Sequence, residues 1–560
     1  MRKRRDIRFI AAIVLFVLAG CGGGGGGGPA AGNDLAVAIH WGARTRALQG
    51  PSSALSVKIT VIGARLGGGD VWFIVNRDPN PAEYTATSKS GTPAREGNYI
   101  LRAEFYSLAD GLGDQVGNAQ AAVRVGAGVP LQGLDGNPLP AISTTGTIST
   151  VRVLPDQLVA VGRDHDLEAT AYGKNGSVLA VTPGSFRFIQ STGSPGYLAV
   201  DPSGLAHGLQ VGFAGVTASV DGVASQPESV LVTPDATFRF IALTVTDLAW
   251  DPVSQRIYAG VASTEGSNRA NSIAVISPTN ASVDRFIPVG GEPGKIAVTD
   301  DGQYLYVALP ALGAVRRISL NSGQADLLIP VGWPEVPTPG LINIAAVAQA
   351  PHSIAVDAAG PGIFLNQTRV AVYDDGIVRP DVVGSTDGAF ITSIAFGGDG
   401  SRLYGVKRNG PDDDLASMSV DSAGVHLVGV SSRLLGPPQS DGTDPIQFVG
   451  GRIYSSNGRV IDPIAATVLG TFPLYDGFSP ETPVVIDAAA GHAYYFSGWP
   501  GIVQTFDTAQ FAQSGKFCVT AHYYGLETPR IVRWARGSIA VSFKSSDAGN
   551  KIVIISGLTD

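Results

Sequence analysis

Residues 271–309 read NSIAVISPTNASVDRFIPVGGEPGKIAVTDDGQYLYVAL. An apolar strand at Ala297-Val298 runs into an acidic turn at Asp300-Asp301, and the next strand carries Tyr306. The same unit recurs on both sides. Its core-strand position is filled by Tyr258, Tyr306, Phe364, Tyr404, Tyr454, Tyr494 and Ile539, at intervals of 40 to 58 residues. Apolar strands precede it at Ala249-Trp250-Asp251, Ala355-Val356-Asp357, Ala395-Phe396 and Val485-Ile486-Asp487. Short strands repeating at this period cannot bury both faces alone, so they stack as the blades of a ring. The last repeat has strands near 530–534, 538–543 and 551–556 and lacks an outer one. Arg239–Leu243, RFIAL, matches the outer-strand sequence RFIPV at Arg285–Val289. This predicts a seven-bladed β-propeller over 236–560, with the segment before the first blade completing the seventh and hiding its edge.

The 271–309 stretch closely resembles the YVTN-type propeller repeat, the repeat of lactonase-like propellers: a strand ending in IPVG, a short loop with proline, an IAVTPDG-like segment and LYV. The resemblance spans the whole block and is weakest around Tyr454 and Ile539.

Upstream, period-two alternation marks half-buried strands: Val57, Ile59 and Val61; Tyr99, Leu101, Ala103 and Phe105; Ala121, Val123 and Val125. An Ig-like β-sandwich is expected over 34–126 and a linker over 127–149. Residues 150–235 resemble the bacterial Ig-like group 2 module on Leu167, Ala169 and Ala171, on Ala199-Val200-Asp201 with Gly204, and on Val216-Thr217-Ala218. Phe188 stands where that family often has tryptophan. The resemblance implies spacing and adhesion. The expected class is therefore all-β, with Ig-like β-sandwiches followed by a propeller.

The chain opens with Arg2, Lys3, Arg4, Arg5 and Arg8 against one Asp6, then an apolar run, Phe9–Leu18. That run is too short for a bilayer core of roughly 30 Å and reads as the h-region of a signal segment, 1–20. Leu18-Ala19-Gly20-Cys21 resembles the bacterial lipobox. The resemblance implies cleavage before Cys21, lipid on its sulfur, and membrane anchoring at the bacterial envelope, at the outer membrane or cell surface. Two or more acyl chains would make the anchor stable. Gly22–Gly28 follows as a side-chain-free tether within 21–33.

Removing residues 1–20 takes the net charge from −8 to −12. With no later Lys/Arg cluster, nucleic acid is not an expected partner. The cysteines are Cys21 and Cys518, so no disulfide is expected. The loops leading into the inner strands carry acids before proline: Glu292, Asp444, Glu481 and Glu527. Lys295, His352 and Arg530 follow proline in the same register. Ring symmetry would gather these seven at the channel mouth as a ligand site. Asp412-Asp413-Asp414 reads as a loop without EF-hand spacing, and no motif specifies a metal or cofactor, although the acids could attract a divalent cation. The stretch 331–351 reads as a long loop over the mouth. No nucleophile elbow or paired-histidine motif occurs. These features favour an envelope binding or scaffold protein recognising a protein, glycan or wall component. A lactonase-like or quinoprotein enzyme acting at the mouth is the alternative.

Overall fold

A computed structural model describes residues 33–558 apart from 44–49, 66–68, 80–81, 127–130, 135, 156, 192–195, 267, 335, 338, 361–367, 385–390, 409–411, 438–444, 475–481, 498–500, 520–528 and 544–549. Cys21 and the glycine tether lie outside the described residues. Among the described residues there is no α-helix, only strands and three short 3-10 turns.

The N-terminal half is two packed cores. One sheet runs Val71–Asn76, Ser56–Val61, Gly97–Tyr106, Gln115–Val125 and Gln132–Gly133, in that spatial order. Val57, Ile59 and Val61 point inward and are fully buried, alternating with more exposed neighbours as a period-two strand requires. Trp41 and Phe105 meet edge to face at the centre, 6.0 Å apart. The opposing sheet runs Tyr84–Ala94, Asn33–Trp41, Ile142–Ser143, Val178–Leu179, Ala169–Gly173 and Ile148–Val153. Its first two strands cover the first core, whereas Ala169, Ala171 and Val151 belong to the second core, around buried Phe188.

The 127–149 segment is thus more than a linker. Ile142 and Ser143 pair in parallel with Ile39 and His40 on one side and with Val178 and Leu179 on the other. Buried Glu168 takes Arg102 Nε at 2.9 Å, and Thr170 Oγ1 donates to the Gln120 carbonyl at 2.7 Å. The two cores are joined through one continuous sheet.

Residues 237–556 form a β-propeller. Among the described residues it consists of seven sheets, each with four strand positions in consecutive antiparallel order. In the third sheet the outer position is shared by Ile377–Val378 and Val383–Gly384. The inner strands are Val245–Asp251, Ile296–Val298, Leu341–Ala346, Ile391–Phe396, Ile446–Val449, Val484–Asp487 and Arg530–Ala535. Each packs beside the next, and the last returns to the first, which closes the ring. The seventh sheet takes its outer strand from Thr237–Ala242, antiparallel to Lys551–Ser556. Ring closure therefore joins the start and end of the block, so no face of the first or last sheet is left without a neighbour.

The second strand of each sheet sets the register. Ala249 faces Tyr258, Ala297 faces Tyr306, Ala395 faces Tyr404, Gln447 faces Tyr454 and Val485 faces Tyr494. Two positions depart from the sequence reading. In the third sheet the second strand is Ser353–Ala359 and Ala355 occupies the aromatic's place; Phe364 lies outside the described residues. In the seventh it is Ala540, one residue past Ile539. Small alanine fits both positions, and a search for an aromatic passes over it. The slip in the third sheet also explains the misread loop: Leu341–Ala346, inside 331–351, is an inner strand of the channel and not a cap.

Candidate functional site

The residue two positions before each register pair lies at one end of the channel. These residues are Asp247, Lys295, Asn343, Ser393, Pro445, Pro483 and Arg530. All seven line one cavity of about 660 Å³. Ladder irregularities at Val245/Leu248 and Ile391/Ile394 bracket Asp247 and Ser393, the kind of local kink that re-aims side chains. Pro293 and Pro529 also line the mouth, and proline fixes φ, so the entry loops are stiff where they turn inward.

Asp247 is the electrostatic centre of this mouth. It is buried, yet it faces two cations from its two neighbours in the ring: Lys295 Nζ at 3.6 Å and Arg530 Nε at 3.2 Å. Its Oδ2 also accepts the Ile296 N–H at 3.0 Å. Arg530 Nε donates in addition to the Thr246 carbonyl at 2.9 Å. A buried carboxylate is tolerable only when its charge is matched and its lone pairs are filled, and here both conditions hold. Lys295 remains 42% exposed, so its ammonium still addresses the cavity. On the rim, Glu292 accepts a hydrogen bond from Ser263.

Among the described residues, the other arc of the mouth presents uncharged side chains: Asn343, Ser393, Pro445, Gln447 and Pro483. Asn343 Nδ2 donates to the Thr392 carbonyl at 2.7 Å and lies 3.4 Å from Asp357 Oδ2. Asp357 is fully buried behind it, and burial pushes its carboxyl up to about 8. Gln447 lines the cavity, and its buried Oε1 has no hydrogen-bond partner among the described residues. The mouth thus sets two cations and a carboxylate beside side chains that both donate and accept, Asn343, Ser393 and Gln447.

Of the residues singled out from sequence, Glu292, Lys295 and Arg530 line this mouth. Asp444, Glu481 and Glu527 lie outside the described residues, although Pro445, Pro483 and Pro529 beside them line it. His352 is elsewhere. It ends the turn after the third inner strand, at the opposite end of the channel, because that strand was read as loop. There its Nδ1 lies 2.9 Å from Asp375 Oδ1, and the ring stands 5.2 Å from Tyr304. Arg317 ties the cluster together with Nη1 2.5 Å from Asp375, Nη2 2.9 Å from Asp326, and its guanidinium 4.4 Å over the Tyr304 ring. The Arg317 hydrogen bond, and then that of His352, hold Asp375 below the usual carboxylate range. This is a latch between the second and third sheets. His352→Ala is expected to cost about 0.5 kcal/mol or less, because the pair is solvent-exposed. Chemical denaturation would measure it, and ligand binding at the mouth should be unaffected.

Asp413 and Asp414 are not loop residues either. They open the buried strand Asp413–Val420, where Asp414 Oδ1 accepts the Arg433 N–H at 2.7 Å. Among the described residues no group of three or more His, Cys, Asp or Glu is placed to hold a metal ion. Cys518 is half-buried at the end of an outer strand, where burial pushes its thiol up. Asp247, Asn343, Ser393 and Gln447 were missed by sequence reading. The available signal was positional: Asp247, Asn343 and Ser393 precede their register pair by two residues, as Lys295 does, and Gln447 is itself the residue facing Tyr454.

No family model and no curated protein sequence matches the chain. Solved structures similar to it include the β-propeller domain of Cps50 (Swd1) from Myceliophteria thermophila, at 10% identity over 57% of this chain and 99% of that one, with a TM-score of 0.42. Hydrazine synthase of Kuenenia stuttgartiensis is similar at 14% identity, over 57% and 97% of the two chains, with a TM-score of 0.41. The dihydro-heme d1 dehydrogenase NirN is similar at 14% identity, over 67% and 74%, with a TM-score of 0.38.

Proposed function

We propose that this chain is an envelope-tethered binding protein: a seven-bladed propeller carried on two fused Ig-like sandwiches, anchored through lipid on Cys21. Its channel mouth takes a polyhydroxylated ligand of the glycan class. The observation that carries this reading is the gathering of seven register-equivalent residues around one cavity, with a locked charge triad on one arc and side-chain amides on the other. Sugar hydroxyls both donate and accept, and they match a mouth that offers the Lys295 ammonium together with the donor–acceptor side chains of Asn343, Ser393 and Gln447. The triad supports binding over acid–base chemistry. Asp247 is already engaged by two cations and a backbone N–H.

The test is thermal unfolding of the detergent-solubilised full chain against envelope glycans, lactones and divalent cations. A glycan that binds only the folded form should raise stability by about 2.7 kcal/mol at a hundredfold excess over Kd. Lys295→Gln should remove that shift. Absence of a shift with every glycan, or turnover of a lactone, would replace this reading with a protein-binding or an enzymatic one.

A further inference from the structure

A second cavity, of about 750 Å³, lies away from the channel, where the first sandwich meets the outer strands of the first and seventh propeller sheets. Its wall on the sandwich side is Ala94–Tyr99, and its propeller walls are Arg239–Leu243 and Asn280–Phe286. Four arginines line it: Arg95, Arg239, Arg269 and Arg285. The carboxylates of the lining are both engaged. Glu96 is paired with Arg269, whose guanidinium also lies over Phe286, and Asp284 Oδ2 takes Arg256 Nε at 2.7 Å.

Among the described residues, Arg95 and Arg239 meet no carboxylate within ion-pair distance. Arg95 Nη1 donates to the Asn280 carbonyl at 3.2 Å and its Nη2 to the Arg65 carbonyl at 3.4 Å, and Arg239 donates to the adjacent Thr279 carbonyl. Two guanidinium groups from different modules thus converge on one turn, Thr279–Asn280. Each has five N–H donors in a planar fork, more than these one or two backbone carbonyls can use. In a chain with net charge −8, this is a local reversal of sign, enclosed by protein on three sides.

We propose that this junction is a binding site for a small organic oxyanion, a polycarboxylate or a phosphate ester, bridged between Arg95 and Arg239. Carboxylate and phosphate share the geometry that an arginine fork recognises. Occupancy would pin the sandwich to the propeller, because one partner comes from each. The inference stands apart from the channel mouth.

Isothermal titration of the detergent-solubilised full chain with citrate, pyrophosphate and, as neutral control, mannitol tests it. Citrate or pyrophosphate should bind one to one, and mannitol should not. Which of the two binds more tightly distinguishes the carboxylate from the phosphate source. Arg239→Gln should weaken binding at least about tenfold, and Arg95→Gln with Arg239→Gln should abolish it, as expected for loss of charge-assisted forks. Arg239 is exposed, so the single variant is expected to keep the native melting transition. Absence of binding by both anions would overturn the proposal. So would unchanged affinity in a natively melting Arg239→Gln variant, or binding lost instead through Lys295→Gln at the mouth.

Discussion

Replacing Asp247 with leucine is expected to lower folding stability by about 2–4 kcal/mol and to abolish ligand binding at the channel mouth. The change leaves Arg530 facing an apolar group, takes from Lys295 its partner at 3.6 Å, and orphans the buried Ile296 N–H. Lys295 can turn outward into water, which keeps the estimate below that of a fully buried triad. Asp247→Asn separates the contributions. Its amide oxygen can still accept from Ile296, so the backbone share should return while the charge share stays lost. Urea denaturation of the three proteins measures the difference. Equal stability of all three would mean that the triad is a surface ion pair of no consequence, and the mouth would lose its organising group.

Stability of the wild-type chain should fall as pH rises from about 4 to about 8, and Asp357→Asn should flatten that decline. The Asp357 carboxyl is raised to about 8 by burial, with Asn343 alone opposing the shift, and its Oδ1 has no hydrogen-bond partner. Its folded value lies above its unfolded one, so the native state holds a proton that the unfolded chain has already released. The stabilisation is complete below the unfolded value of 3.8, shrinks through the interval, and is lost once pH passes the folded value. Across roughly three pH units to neutrality this amounts to about 4 kcal/mol. Asparagine is neutral throughout and removes the dependence. An Asp357→Asn profile with the same slope as the wild type would show that Asp357 is ionised in the fold.

The period-two runs of the first sandwich were plain in the sequence because each core strand has one wet and one dry face. Val57, Ile59 and Val61 are buried to the last ångström while Lys58 and Thr60 between them are not. Most propeller repeats were plain for a related reason: a large aromatic on the second strand of five sheets packs in the core, as buried Tyr306 and Tyr494 do. The third and seventh repeats broke that pattern with alanine, and the register slipped there. His352 went to the wrong end of the channel with it.

Sequence by itself determined the strand alternation, the repeat period and the likeness between Arg239–Leu243 and Arg285–Val289, because these depend on which neighbours along one strand face water. Tertiary structure alone decided the rest. Ile142 and Ser143 form a strand only because two other strands flank them. Asp247 meets Lys295 and Arg530 across 48 and 283 residues of chain only because the ring closes. Arg95 and Arg239 converge only because one module is seated against another. Charge pairing over such separations carries no local periodicity, so nothing along the chain announces it before the fold brings the groups together.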